Sequence, residues 1–197
     1  MSRPLLVVLG AVVFALMSVT FFWIFKLTLA NSMKTDMVSP EKVAAFIQAI
    51  LEANRNNYTD NVVVKLQKEG IQAHEHWKDE RGVALPAQYL MESGRLVSLK
   101  DLKFSFRLAS LTPIYVWNGP NSDFERLGLA AVDKNPDKPH YGYITKGGTR
   151  YFQAIYADRA GSQACVDCHN QHSNSPRRDF KLNDVMGGIV ITFPVGE

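Results

Sequence analysis

The sequence predicts an α+β domain built on an antiparallel sheet and preceded by a single transmembrane helix. Three observations carry that expectation. Leu5 to Phe25 is an uncharged apolar run of about 21 residues, long enough to cross a bilayer core as a helix. Helical spacing runs from Ser39 to near Gly70, and a second helix is expected from Leu85-Pro86 to Gly94. Later, two strand-like stretches flank the turn Lys146-Gly147-Gly148-Thr149, and a β-branched segment follows from Gly187 to Val195. Helices first and strands after, with short connections, is the order of an α+β fold. The expected division is 1–30 as the anchor and 31–197 as one domain, enough chain for a real core.

The apolar run exceeds the core of a cleavable signal peptide, and Thr28-Leu29-Ala30 is a poor cleavage site, so an uncleaved anchor is expected. Phe21, Phe22, Trp23 and Phe25 suit a membrane interface, and Arg3 holds the N-terminal end in the cytoplasm. Composition elsewhere is that of a globular protein, 46% hydrophobic and 21% charged, without repeats. With 22 basic and 19 acidic residues the net charge is +3, too slight a balance to support nucleic-acid binding.

Ser39-Pro40-Glu41 reads as a helix start, with a serine cap, proline in the first turn and an acid beside the positive end. Val43, Phe46, Ile47, Ile50 and Leu51 continue it at helical spacing, and the pattern extends to Gly70. Four asparagines between 54 and 61, weak helix formers, mark a kink or a polar surface there. In the stretch from Ile71 to Trp77, His74 and His76 would share a face of a strand but not of a helix. Leu85-Pro86 opens a second helix expected to stop at Gly94. Arg107 to Trp117 is strand-like, with Pro113 arguing for an edge or a bulge. Ser122-Asp123 caps a short helix through Leu127, and Tyr141 to Thr145 pairs with Tyr151 to Ala157 as a hairpin.

The chemistry-bearing stretch is Ala164-Cys165-Val166-Asp167-Cys168-His169-Asn170. It holds both cysteines of the chain, two residues apart, with a histidine directly after the second. That is the attachment signature of c-type haem: two thiols that add to neighbouring vinyl groups, and an imidazole carried beneath the iron as proximal ligand. Other readings are weaker. A thioredoxin-like dithiol wants a βαβ context. Zinc would have to be completed by His169 and His172 within eight residues. A disulfide at this spacing is strained. Covalent haem attachment happens outside the cytoplasm, so the domain is expected to face the periplasm from the inner membrane.

At these residues the chain resembles the monohaem c-type domains with a PAS-like fold, over roughly Val38 to Val195. The likeness rests on Asn54-Arg55-Asn56-Asn57-Tyr58, Leu85-Pro86-Ala87, Asn118-Gly119-Pro120-Asn121 with Phe124-Glu125, the Cys165 to His169 motif, and the closing Gly187-Gly188-Ile189-Val190-Ile191-Thr192-Phe193-Pro194. The resemblance implies a PAS-like antiparallel sheet with flanking helices, one haem c between them, and a sixth ligand from the N-terminal half. Some relatives use cysteine or methionine there. A third cysteine does not exist in this sequence, which leaves His74 as first candidate, His76 and Met91 as alternatives, or an open position. Arg159 and Arg177 are candidate propionate contacts, against an ordinary solvated basic face. Tyr151 and Tyr156 are candidates for packing on the porphyrin, against a role in the core.

The function expected from these features is electron transfer or redox sensing by a membrane-anchored monohaem cytochrome, partnered by a redox protein or a membrane redox complex. The alternative is a haem-based gas or redox sensor. The sequence carries no kinase, cyclase or methyl-accepting segment, so such a signal would pass to a partner protein. An enzyme acting on a small molecule is less supported, because no acid–base set is visible.

Overall fold

The structure, a computed structural model, describes residues 13–28 and 38–196. The chain divides into two units, Met1–Ser39 and Pro40–Glu197. The described part of the first is a helix over 13–28. The start of the apolar run and the expected boundary at 30/31 lie outside the described residues.

The transmembrane expectation is corrected here. Among the described residues no helix is long and apolar enough to cross a membrane. The membrane-spanning part of the fold class and the inner-membrane localisation derived from it are both overturned by this finding.

The second unit is an α+β domain around a four-stranded antiparallel sheet. Helix α1 (Pro40–Tyr58) starts at the expected proline with Glu41 in its first turn, and buries Ala44 and Leu51. It passes into a π-helical turn, Thr59–Val63, and then into α2 (Val64–Lys68). The π-turn lies among the asparagines. Thr59 Oγ1 donates to the Arg55 carbonyl at 2.8 Å and Asn61 Nδ2 to Asn57 Oδ1 at 2.7 Å; such side-chain bonds compete with helical ones. Gly70 ends α2 at φ +78°, the left-handed conformation that glycine adopts most easily.

Helix α3 (Pro86–Ser98) begins at the expected proline. It runs through Gly94 instead of stopping there. A Cβ at Gly94 would lie 2.5 Å from the Phe106 carbonyl oxygen, so this glycine permits helix and strand to approach closely. The strand β1 (Ser105–Ala109) is shorter and earlier than the residue types suggested, and Pro113 lies beyond it. Helix α4 (Asp123–Lys134) is capped as expected, Ser122 Oγ accepting from the Glu125 N–H, but extends well past Leu127.

Strands β2 (His140–Lys146) and β3 (Thr149–Arg159) form the hairpin, with Gly147 and Gly148 at φ +53° and +76° in its turn. After α5 (Gln163–Gln171), the strand β4 (Val185–Pro194) inserts between β1 and β3 to give the order β1-β4-β3-β2. One face carries Leu51, Leu90, Phe106, Ile189 and Ile191 from α1, α3 and the sheet. The other packs Ala109, Ile155 and Val190 on Leu129 and Val132 of α4. The last residues of β3 break register with a bulge between Asp158 and Arg159, and α5 starts just beyond.

Candidate haem site

Helix α5 presents the cysteine–histidine motif. Ser162 caps it, accepting from the Cys165 N–H at 3.4 Å, and its hydroxyl lies 3.1 Å from Cys165 Sγ. Val166 buries the inner face of α5 with Ala160, Phe180 and Met186, and Cys165 packs beside them. Asn170 ties the following loop to the helix by two 2.9 Å bonds to the backbone of Phe180. Both cysteines are free and half-buried. Three- and four-residue spacing places Cys165, Cys168 and His169 along one flank of the helix.

The ring of His169 meets Phe180 edge-on, with centroids 5.6 Å apart. Its Nδ1 is buried and has no hydrogen-bond partner. Burial pushes the imidazole below the usual histidine range, with Asp158 opposing and His172 adding to the shift. The Cys168 thiol is pushed up, first by burial and then electrostatically by Glu75 and Cys165.

Glu75 is the carboxylate that closes on the helix end. It accepts from the Tyr115 hydroxyl and lies 3.3 Å from His172 Nε2. The His172 Nδ1 accepts the Asn174 N–H at 3.1 Å, so Nε2 is the nitrogen left to donate to Glu75. The hydrogen bond from Tyr115 is the largest cause that holds Glu75 below the usual carboxylate range, followed among the lowering causes by His172 and His76. A depressed folded-state pKa contributes stability above the unfolded value, and that contribution disappears as pH falls through the folded one. Thermal unfolding from pH 6 to pH 3 should therefore show the advantage of the native protein over Glu75→Gln shrinking as the carboxylate protonates. An advantage constant over that range would mean that the hydrogen bonds do not depend on charge.

The stretch that carries His74 and His76 is not a strand but a loop, closed by a single bridge between Ala73 and Val83. Gln88 Nε2 binds the Glu75 carbonyl at 3.0 Å, which fixes the loop to α3. Glu75 is the residue of this loop that meets His172 at the C-terminal end of α5. His74 Nε2 is 3.3 Å from the Arg81 carbonyl, and His76 is 64% exposed with its Nε2 3.4 Å from Glu75 Oε1. Met91 is half-buried on α3.

Arg159 pairs with Asp137 at 2.6 Å, and Arg177 is held by Asp179 at 2.7 Å and Asp184 at 3.2 Å while stacking on Phe180. Both arginines line one polar recess beside the start of β4. Tyr156 packs between α1 and the sheet, its phenol pushed up first by burial. Tyr151 pairs with Pro194 near the hairpin end of β3, away from α5. The residues that reach the end of α5 from afar are Glu75 and Tyr115, which meet at His172. No local signal marks either of them. Among the described residues no three His, Cys, Asp or Glu side chains cluster so as to hold a metal ion, so the zinc reading has no assembled ligand set. A haem iron takes four nitrogens from the porphyrin and needs only one or two ligands from the chain.

No curated protein is similar enough to this chain to match it. A family model matches residues 32–194, a span that contains the whole sheet, α1 to α5 and the Cys165 to His169 motif. On that match the chain belongs to the Tll0287-like family, a cytochrome c-type family.

Proposed function

We propose that the domain carries one haem c, with thioethers from Cys165 and Cys168 and with His169 as axial ligand, and exchanges single electrons with a redox partner protein. The observation that carries this reading is the arrangement on α5: two unpaired thiols and an imidazole along one flank of a capped helix, the imidazole with one nitrogen buried. The bound haem would supply reversible one-electron iron chemistry. The chain would supply orientation through Ser162 and Val166, which fix α5, and partial exclusion of water by Phe180 and the 71–84 loop. For the sixth position His74 is the first candidate, with His76 and Met91 behind it. Arg159 and Arg177 are the cations nearest in sequence for propionates, and an antiparallel sheet with helices is what the monohaem PAS-like resemblance implies.

The second reading, a haem sensor that signals through a partner, draws on the engagement of His74 Nε2 with a carbonyl and the exposure of His76. A sixth ligand from this loop would then be weak and exchangeable. Visible spectra of protein matured with the haem-attachment machinery test both. A six-coordinate low-spin spectrum unchanged by carbon monoxide in the reduced state is the result expected of an electron carrier. A spectrum shifted by the gas gives priority to the sensor. No covalent haem at all would end both readings.

A further inference from the structure

Among the described residues of the second unit, Trp117 is the most exposed aromatic side chain, at 77%, and Val116 beside it is 78% exposed. Large apolar side chains left open side by side call for an explanation. The segment is nonetheless fixed. Trp117 stands in a single 3-10 turn, Val116–Asn118. The Ser110 N–H donates to the Asn118 carbonyl at 2.9 Å, and Arg107 Nη2 of β1 to the Gly119 carbonyl at 2.9 Å.

Contacts run inward from the indole. Trp117 stacks on Tyr115, with centroids 6.5 Å apart and planes 6° apart. Tyr115 meets the ring of His172 edge-on at 5.9 Å. Both spacings are those of packed aromatic pairs. The His172 N–H then donates to the Cys168 carbonyl at 2.9 Å, and Cys168 is the second attachment thiol. Glu75 fixes the two inner rings, accepting the Tyr115 hydroxyl and lying 3.3 Å from His172 Nε2.

We propose that Trp117, Tyr115 and His172 form the route by which an electron passes between the protein surface and the Cys168 side of the haem. This rests on the haem reading above. Electron transfer weakens steeply across empty space and far less through bonded atoms and packed π-systems. One electron leaves ferrous iron, which becomes ferric, and an outside oxidant is reduced by one electron. No bond or proton changes hands, and the three rings only couple donor to acceptor. Glu75 acts as a positioning residue, and Trp117 is the exposed terminus.

A haem-stained denaturing gel of the matured protein comes first. Absence of haem from the native sequence sinks the haem reading itself, which is a different failure from the one sought. With haem present, the ferrous holoprotein is mixed with tris(phenanthroline)cobalt(III), a one-electron oxidant with flat aromatic ligands. Trp117→Ala should slow oxidation by about tenfold or more, while the visible spectrum and the reduction potential stay native. Trp117→Phe should keep most of the rate. Tyr143→Ala removes an exposed aromatic on β2 and should leave the rate unchanged. An unchanged rate in Trp117→Ala overturns the proposal, and so does an equal fall in Tyr143→Ala or a change of potential that accounts for the slowing. Proton NMR of the unaltered holoprotein needs no variant. The ring protons of Tyr115 should shift more between the reduced and oxidised states than those of Tyr143, and equal shifts overturn the route.

Discussion

Replacing both Cys165 and Cys168 by alanine is expected to abolish all haem that survives denaturation, at least a hundredfold below the native content per mole of protein, while the fold persists. The two halves of that expectation have separate physical grounds. The haem reading needs both thiols as leashes, and neither is engaged in a disulfide that would compete. The fold draws little from the sulfurs. Val166, Phe180 and Met186 form the buried contacts of α5, and Cys165 only packs at their edge. Loss of a half-buried thiol costs on the order of 1 kcal/mol, and the Ser162 cap remains to start the helix. Each single substitution should leave one thioether and shift the reduced visible band to longer wavelength, since one vinyl group then stays conjugated. Circular dichroism and a haem-stained gel read the two halves independently. A double variant that keeps its haem through denaturation would show that the cysteines are not the attachment.

What could be read in the sequence was local. Pro40 and Pro86 announce helix starts because proline fits the first turn and fits nowhere else in a helix. The glycine pair at 147 and 148 announces a hairpin, and Cys165 to His169 needs only adjacency. What could not be read depends on contacts between distant segments. Gly94 has the chemistry of a helix stop, but the carbonyl of Phe106 lies where a side chain would be, so packing and not termination explains it. Strand β4 reads as a final strand, yet nothing in its residues says that it inserts between β1 and β3. At the site, Glu75 reaches His172 from 97 positions away, and Tyr115 reaches Glu75 from 40. The apolar N-terminal run had the hydropathy of a span, whereas among the described residues no helix is long and apolar enough to cross a membrane.

Glu125→Ala should be the most destabilising single substitution in the sheet-side framework, at about 3 kcal/mol. Glu125 is 3% exposed. Its Oε2 accepts from Arg107 Nη2 and, at 2.7 Å, from the Asn121 N–H, while its own N–H is capped by Ser122. Arg107 Nη2 also donates to the Gly119 carbonyl at 2.9 Å. One carboxylate therefore joins β1, the turn at 118–122 and the first turn of α4. Truncation would leave a cation partly desolvated and an amide without its acceptor, and breaking a buried pair costs about 3–5 kcal/mol. The lower end applies because the Arg107 side chain remains 27% exposed and water can take up part of the loss. In a chain of this size the melting temperature should fall by roughly 6–12 °C. A second substitution, Arg107→Met, removes the abandoned charge and should restore part of the stability, so that the double variant costs less than the sum of the singles. Strict additivity would mean that the two side chains act separately, each through its own bonds to the backbone, and that the ion pair between them contributes nothing to holding β1 on α4.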